Sequence, residues 1–238
     1  MRDGDFELPA FDSGTRKQRC VVEAARGAWG IEASTFSDRS NHALALSRFQ
    51  IAGGEAHLYG EESDGRWGFV RYVQGDVWGG TNCGPIPWNR AIDVALSPDA
   101  TIELRVFREK SKLTSRLSSW LMFAVNLWFS APSFPPGKDK QHKKPLVMDL
   151  IFHHQCNSPF CGPRHYVDEA AHHYQESVGT ASFREWVTLE IPVGRHLRAA
   201  LERFDLPGEG VSLQQVEVLI ELRHAEGAMR IDDFQLWQ

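Results

Sequence analysis

The chain has 238 residues and a mass of 26.9 kDa, enough for one domain with a sizeable core. Its 26 Lys and Arg stand against 31 Asp and Glu, a net charge of -5, which excludes the clustered basic excess of a nucleic-acid footprint. With 42% hydrophobic and 24% charged residues and no apolar window of membrane-spanning length, the reading is of a folded globular chain with no membrane span.

Eight Trp, 14 Phe and 4 Tyr make the chain rich in aromatics, and it holds ten His. Aromatics serve as core fillers or as stacking platforms for a flat ligand. The chain opens Met1-Arg2-Asp3-Gly4-Asp5, without the apolar region of a signal peptide. Cys20, Cys83, Cys156 and Cys161 are even in number but too sparse for a disulfide framework. The balance leans towards secretion.

In chain order, strand signals fall at Ala43 to Phe49, Trp67 to Val73, Thr101 to Phe107, Trp120 to Phe129 and Pro145 to His154. They continue at Trp186 to Val193, Leu213 to Leu222 and Met229 to Trp237. Each run is rich in Val, Ile, Leu and aromatics and is bounded by turn formers. One amphipathic helix is predicted over Gly194 to Phe204, where Val193, Leu197, Leu201 and Phe204 share a face and Leu206-Pro207-Gly208 follows as a stop. A second, weaker helix signal covers Asp168 to Gln175. Gly- and Pro-rich loops interrupt near 75–98 and within 131–180, and no repeat is evident. Many strands with almost no helix imply an all-β antiparallel sandwich or barrel, a single domain over 1–238.

Period-two alternation separates two faces. Leu121, Phe123, Val125, Leu127 and Phe129 form a core face, leaving Trp120, Met122, Ala124, Asn126 and Trp128 opposite. In the next run, Leu146, Met148, Leu150 and Phe152 are core, and Val147, Asp149, Ile151 and His153 face away. Val216, Val218, Ile220 and Leu222 leave Glu217, Leu219, Glu221 and Arg223 on the second face, and Val187, Leu189 and Ile191 leave Trp186, Thr188 and Glu190. Second faces are commonly the wet outsides of sheets, but apolar bulk around Asn126 and Asp149 suits a cleft with a few convergent polar groups.

The chain ends carry further motifs: Gly4-Asp5-Phe6-Glu7, then Trp29, then Asn41-His42-Ala43-Leu44-Ala45-Leu46, and finally Ile231-Asp232-Asp233-Phe234-Gln235-Leu236. This set resembles the jelly-roll carbohydrate-binding modules of families 4, 9 and 22. The resemblance implies a jelly-roll β-sandwich with a structural Ca²⁺, to which Glu7 and Asp232 would contribute hard oxygen ligands. The chain is longer than such modules, and its surplus lies in the loops.

Two functions compete. A binding module would stack a poly- or oligosaccharide on Trp120, Trp128 and Trp186 and bond its hydroxyls through Asn126 and Arg223, with Trp78 and Trp88 contributing from loops. A carbohydrate-active enzyme on the same scaffold, a glycoside hydrolase or a lyase, would draw on Asp149, Glu190, Glu217 and Glu221, or on His153 as a base with Arg223. The window 153–173 adds His153, His154, Cys156, Cys161, His165, His172 and His173. Zn²⁺ takes such ligands tetrahedrally, and His153 and His165 with Cys156 and Cys161 form the candidate set. A small Cys156–Cys161 disulfide loop is the competing reading of the same cysteines.

Overall fold

The structure, a computed structural model, describes residues 19–21, 30–35, 46–52, 55–62, 68–75, 92–116, 118–136, 143–157, 166–168 and 172–238. Its strands are β1 (Arg19–Val21), β2 (Gly30–Thr35), β3 (Leu46–Ala52), β4 (Glu55–Glu62), β5 (Gly68–Gly75), β6 (Thr101–Leu113) and β7 (Ser119–Ser130). There follow β8 (Leu146–Asn157), β9 (Tyr166–Asp168), β10 (His173–Ser177), β11 (Trp186–Ile191), helix α1 (Val193–Arg203), β12 (Ser212–Arg223) and β13 (Ala225–Trp237). No helix among the described residues is long and apolar enough to cross a membrane.

The strands form two sheets. One has eight strands in the order β1-β2-β5-β12-β7-β8-β10-β9, and the other has five in the order β11-β6-β13-β4-β3. Every strand pair is antiparallel except β8 with β10, which is parallel. This is an all-β jelly-roll sandwich with one short helix among the described residues, the sandwich as the pattern predicts and the jelly roll as the resemblance implies.

The core lies between the sheets, where alternation places it. Leu121, Phe123, Val125, Leu127 and Phe129 of β7 are fully buried, as are Val216, Val218, Ile220 and Leu222 of β12. From the other sheet Ile102, Leu104 and Val106 meet them, and all join one continuous cluster. Burying such side chains is worth roughly 1.5–3 kcal/mol each. At Gly227 of β13 the two sheets come so close that a Cβ would stand 2.8 Å from Leu121 Cδ1. Helix α1 lays Val193, Gly194, Leu197 and Ala200 against this core. Gly194 touches the preceding loop, where a Cβ would lie 2.4 Å from the Ser97 carbonyl oxygen, and its N–H donates to Ala100 O at 2.9 Å.

Two expectations are corrected. The helix predicted over Asp168 to Gln175 is absent, and that segment includes the end of β9 and the start of β10. The reason is tertiary: β8 offers an open edge, and β10 satisfies its backbone groups there while sinking Tyr174 into the core. His153 does not share the outward face of Asp149. The register between β7 and β8 shifts at Phe123/Ala124, and a bulge of this kind lets two successive residues turn the same way. Phe152 and His153 both point between the sheets, where His153 bonds Arg108 and Ser111 of β6.

Candidate functional site

The outer face of the eight-stranded sheet, turned away from the five-stranded one, carries an ordered lattice of side chains. One row runs across four strands, Glu217–Asn126–Asp149–Gln175, each residue directly opposite the next. On one side lies Gln215–Trp128–Val147–His173. On the other side come Leu219–Ala124–Ile151–Ser177, then Glu221–Met122–His154, then Arg223–Trp120–Cys156. Met122, Ala124, Ile151 and Leu219 form a small apolar cluster of their own with Trp120 packed against it.

The polar row is buried: Glu217 is 1% exposed, Asp149 3% and Asn126 6%. Buried charge requires partners, and both carboxylates have them. Asp149 accepts from Asn126 Nδ2, from His173 Nε2 at 2.8 Å and from Gln175 Nε2 at 2.6 Å. Glu217 accepts from Arg71 Nη1 at 2.5 Å and from Gln215 Nε2. Asn126 Oδ1 is buried and accepts no hydrogen bond among the described residues.

Glu221 differs from both. Burial pushes its carboxyl up to about 8, the negative charge of Asp149 adds to the rise, and His173 offsets part of it. One face therefore holds an acid that is protonated at neutral pH within electrostatic reach of a donor-held carboxylate. Pairs whose surroundings diverge in this way are how acid and base roles are separated at one pH.

Of the candidates read from sequence, the structure brings Trp120, Asn126, Trp128, Asp149, Glu221 and Arg223 onto this face. Trp186 and Glu190 lie in β11 of the other sheet, where Trp186 packs its ring 5.6 Å from Phe107 and under the Arg105 guanidinium. Sequence reasoning missed Arg71, Gln175 and His173 as members of the site. The last two were hidden because their strand was read as a helix. Brought to Asp149 by a parallel strand pairing, they carry no local signal of that partnership.

The metal expectations divide. Cys156 is in a disulfide, so it has no thiolate to offer zinc. His153 is held between Arg108 and Ser111, and Cys161 and His165 lie outside the described residues. Glu7 also lies outside them. Asp232 bonds Arg105 at 3.3 Å and caps the Asp233 N–H at 2.8 Å. Among the described residues no group of three or more His, Cys, Asp or Glu is placed to hold a metal ion.

The architecture is that of a known group of folds. The chain is similar to the family 11 xylanase of Neocallimastix patriciarum, with a TM-score of 0.53 and 11% identity, over 96% of this chain and 98% of that one. It is also similar to a cellulase derived from Cel12A of Rhodothermus marinus, with a TM-score of 0.55 and 13% identity, over 93% and 98%. A family 4 carbohydrate-binding module, the type that the terminal motifs resemble, overlaps with a TM-score of only 0.38. No family model matches the sequence, and no curated protein matches it. At such identities the likeness defines the jelly-roll fold.

Proposed function

We propose that this protein is a glycoside hydrolase that cleaves a polysaccharide laid across the outer face of its eight-stranded sheet. The feature that carries the reading is that Glu221, whose carboxyl burial pushes up to about 8, shares this face with Asp149, held by three donors. Glycosidases need one carboxylic acid to protonate the leaving oxygen and one carboxylate as nucleophile or base. Glu221 takes the acid role and Asp149 the carboxylate role. Glu217, fixed by Arg71 and Gln215, holds a carboxylate beside Asn126 in the same row. Trp128, on the row beside the polar one, and Trp120, on the row beyond Glu221, supply stacking surfaces for sugar rings. Xylan and β-1,4-glucan are the substrates to try first, since the similar folds include a xylanase and a cellulase.

The same tryptophans, with Asn126 and Arg223, support a second reading, a module that binds the polysaccharide without cutting it. Reducing-end release from a panel of xylans and glucans separates the two. We expect release by the native chain and a fall in kcat on the order of 10²–10⁴ in Glu221→Gln. Binding to the same polysaccharides with no release at any pH from 4 to 8 would favour the module and defeat the enzyme.

A further inference from the structure

Beyond Ser177, the chain leaves β10 and follows the edge of β8 more loosely, with Val178 N–H on Ile151 O at 2.9 Å and Ala181 N–H on Phe152 O at 3.0 Å. This opens a cavity of about 260 Å³ lined by Arg108, Ile151, His153, His154, Gln155, Ser177, Gly179 and Thr180. Among the described residues its lining has hydroxyl, amide, imidazole and guanidinium groups and no carboxylate.

Arg108 is the unusual member. Its guanidinium donates to His153 and lies 5.5 Å over the Phe183 ring, and no Asp or Glu among the described residues is within ion-pair distance of it. Its Nε is buried and has no acceptor, and burial disfavours its charge. His153 cannot neutralise it. Ser111 Oγ donates to Gln155 Oε1 at 2.8 Å, so it accepts from His153 Nε2 at 2.9 Å, and the Nδ1 lone pair is left to accept from Arg108. A desolvated cation without a counter-charge is unfavourable, and an anion in the cavity would relieve it with a charge-assisted hydrogen bond.

The cavity also adjoins the outer face. Ile151 belongs to the apolar cluster there, and the His154 ring lies 4.2 Å from that of Trp120. We propose that this cavity is a carboxylate-binding subsite, with Arg108 as its cation, that takes a uronic acid unit of the polysaccharide. The inference rests on the glycoside hydrolase reading for the presence of a polysaccharide, and it narrows the substrate to an acidic one.

Calorimetric titration of the full chain at pH 7 with glucuronate, glucose, acetate and phosphate tests it. Glucuronate is expected to bind at least tenfold more tightly than glucose and than either small anion. Arg108→Gln should abolish that preference, with its fold checked by melting. Thr180→Asp should do the same by supplying an internal carboxylate while leaving the Arg108–His153 contact in place. Glucuronate binding no tighter than glucose would overturn the proposal, as would acetate or phosphate binding equally well or retention of the preference in Thr180→Asp. Because the titration involves no turnover, glucuronate binding without polysaccharide cleavage would count against the hydrolase reading alone.

Discussion

Two titratable residues give the protein opposite responses to pH. Glu221 titrates at about 8 against an ordinary 4.5, so the unfolded chain releases this proton first as pH rises. The stability associated with it is complete below about 4.5 and is lost as pH climbs through about 8. Melting the native chain and Glu221→Gln between pH 5 and 9 should show a decline in the native protein that the variant lacks. His153 runs the other way: burial, then Arg108 and His154, push it down to about 4 from 6.5. The unfolded ring takes up its proton first as pH falls, so stability drops between about 6.5 and about 4. His153→Gln should flatten that acid limb; an unchanged limb would show that other groups control it. Neither residue reveals this in the sequence. Glu221 alternates as ordinary outward Glu would, and the His153 position depends on a bulge that leaves the apolar alternation up to Phe152 intact.

At the scale of elements, strands with a regularly alternating apolar face were legible and strands sustained by their neighbours were not. The runs that became β6, β7, β8, β11, β12 and β13 are visible as β-branched and aromatic alternation, with ends misplaced mainly where polar residues extend them, as Lys110 to Leu113 extend β6. By contrast β4 contains Glu55, Gly60, Glu61 and Glu62 and lies outside the strands the sequence predicts. It is a strand because β3 and β13 pair with both its edges, because Leu58 is fully buried and because the Tyr59 hydroxyl donates to Glu226 at 2.7 Å. The closing motif shows a similar limit. Ile231 and Phe234, three apart, are both buried only because the register shifts after Asp232 and Asp233 takes a positive φ of 50°. Glycine contacts allow a test at this scale. Gly227→Ala forces Leu121 aside and should cost about 1–3 kcal/mol in chemical denaturation. Gly194→Ala meets two backbone carbonyls instead of a movable side chain and should destabilise more, by undocking α1 from the 97–100 segment. Equal losses in the two variants would show that the backbone there yields as readily as Leu121.

For the molecule as a whole, the sandwich followed from composition and pattern, whereas the meeting of the candidate residues on one face did not. Asp149 and Glu221 stand 72 positions apart on strands separated by β7, and only the pairing order puts them on one face. Consecutive strands give no such order. That same order has a consequence for how the protein is made. The strands at the middle of both sheets are among the last in the chain: β12 joins β5 to β7, and β13 joins β6 to β4. Without residues 212–237 the eight-stranded sheet separates into β1-β2-β5 and β7-β8-β10-β9, and the five-stranded sheet into β11-β6 and β4-β3. A chain ending at Asp205 should accordingly lack a cooperative melting transition and bind hydrophobic dye. During synthesis the edges of β4, β5, β6 and β7 await their partners until residues 212–237 have emerged. Such edges invite pairing between chains, so nascent copies depend on completing the C-terminal pair quickly, or on a chaperone that covers those edges meanwhile.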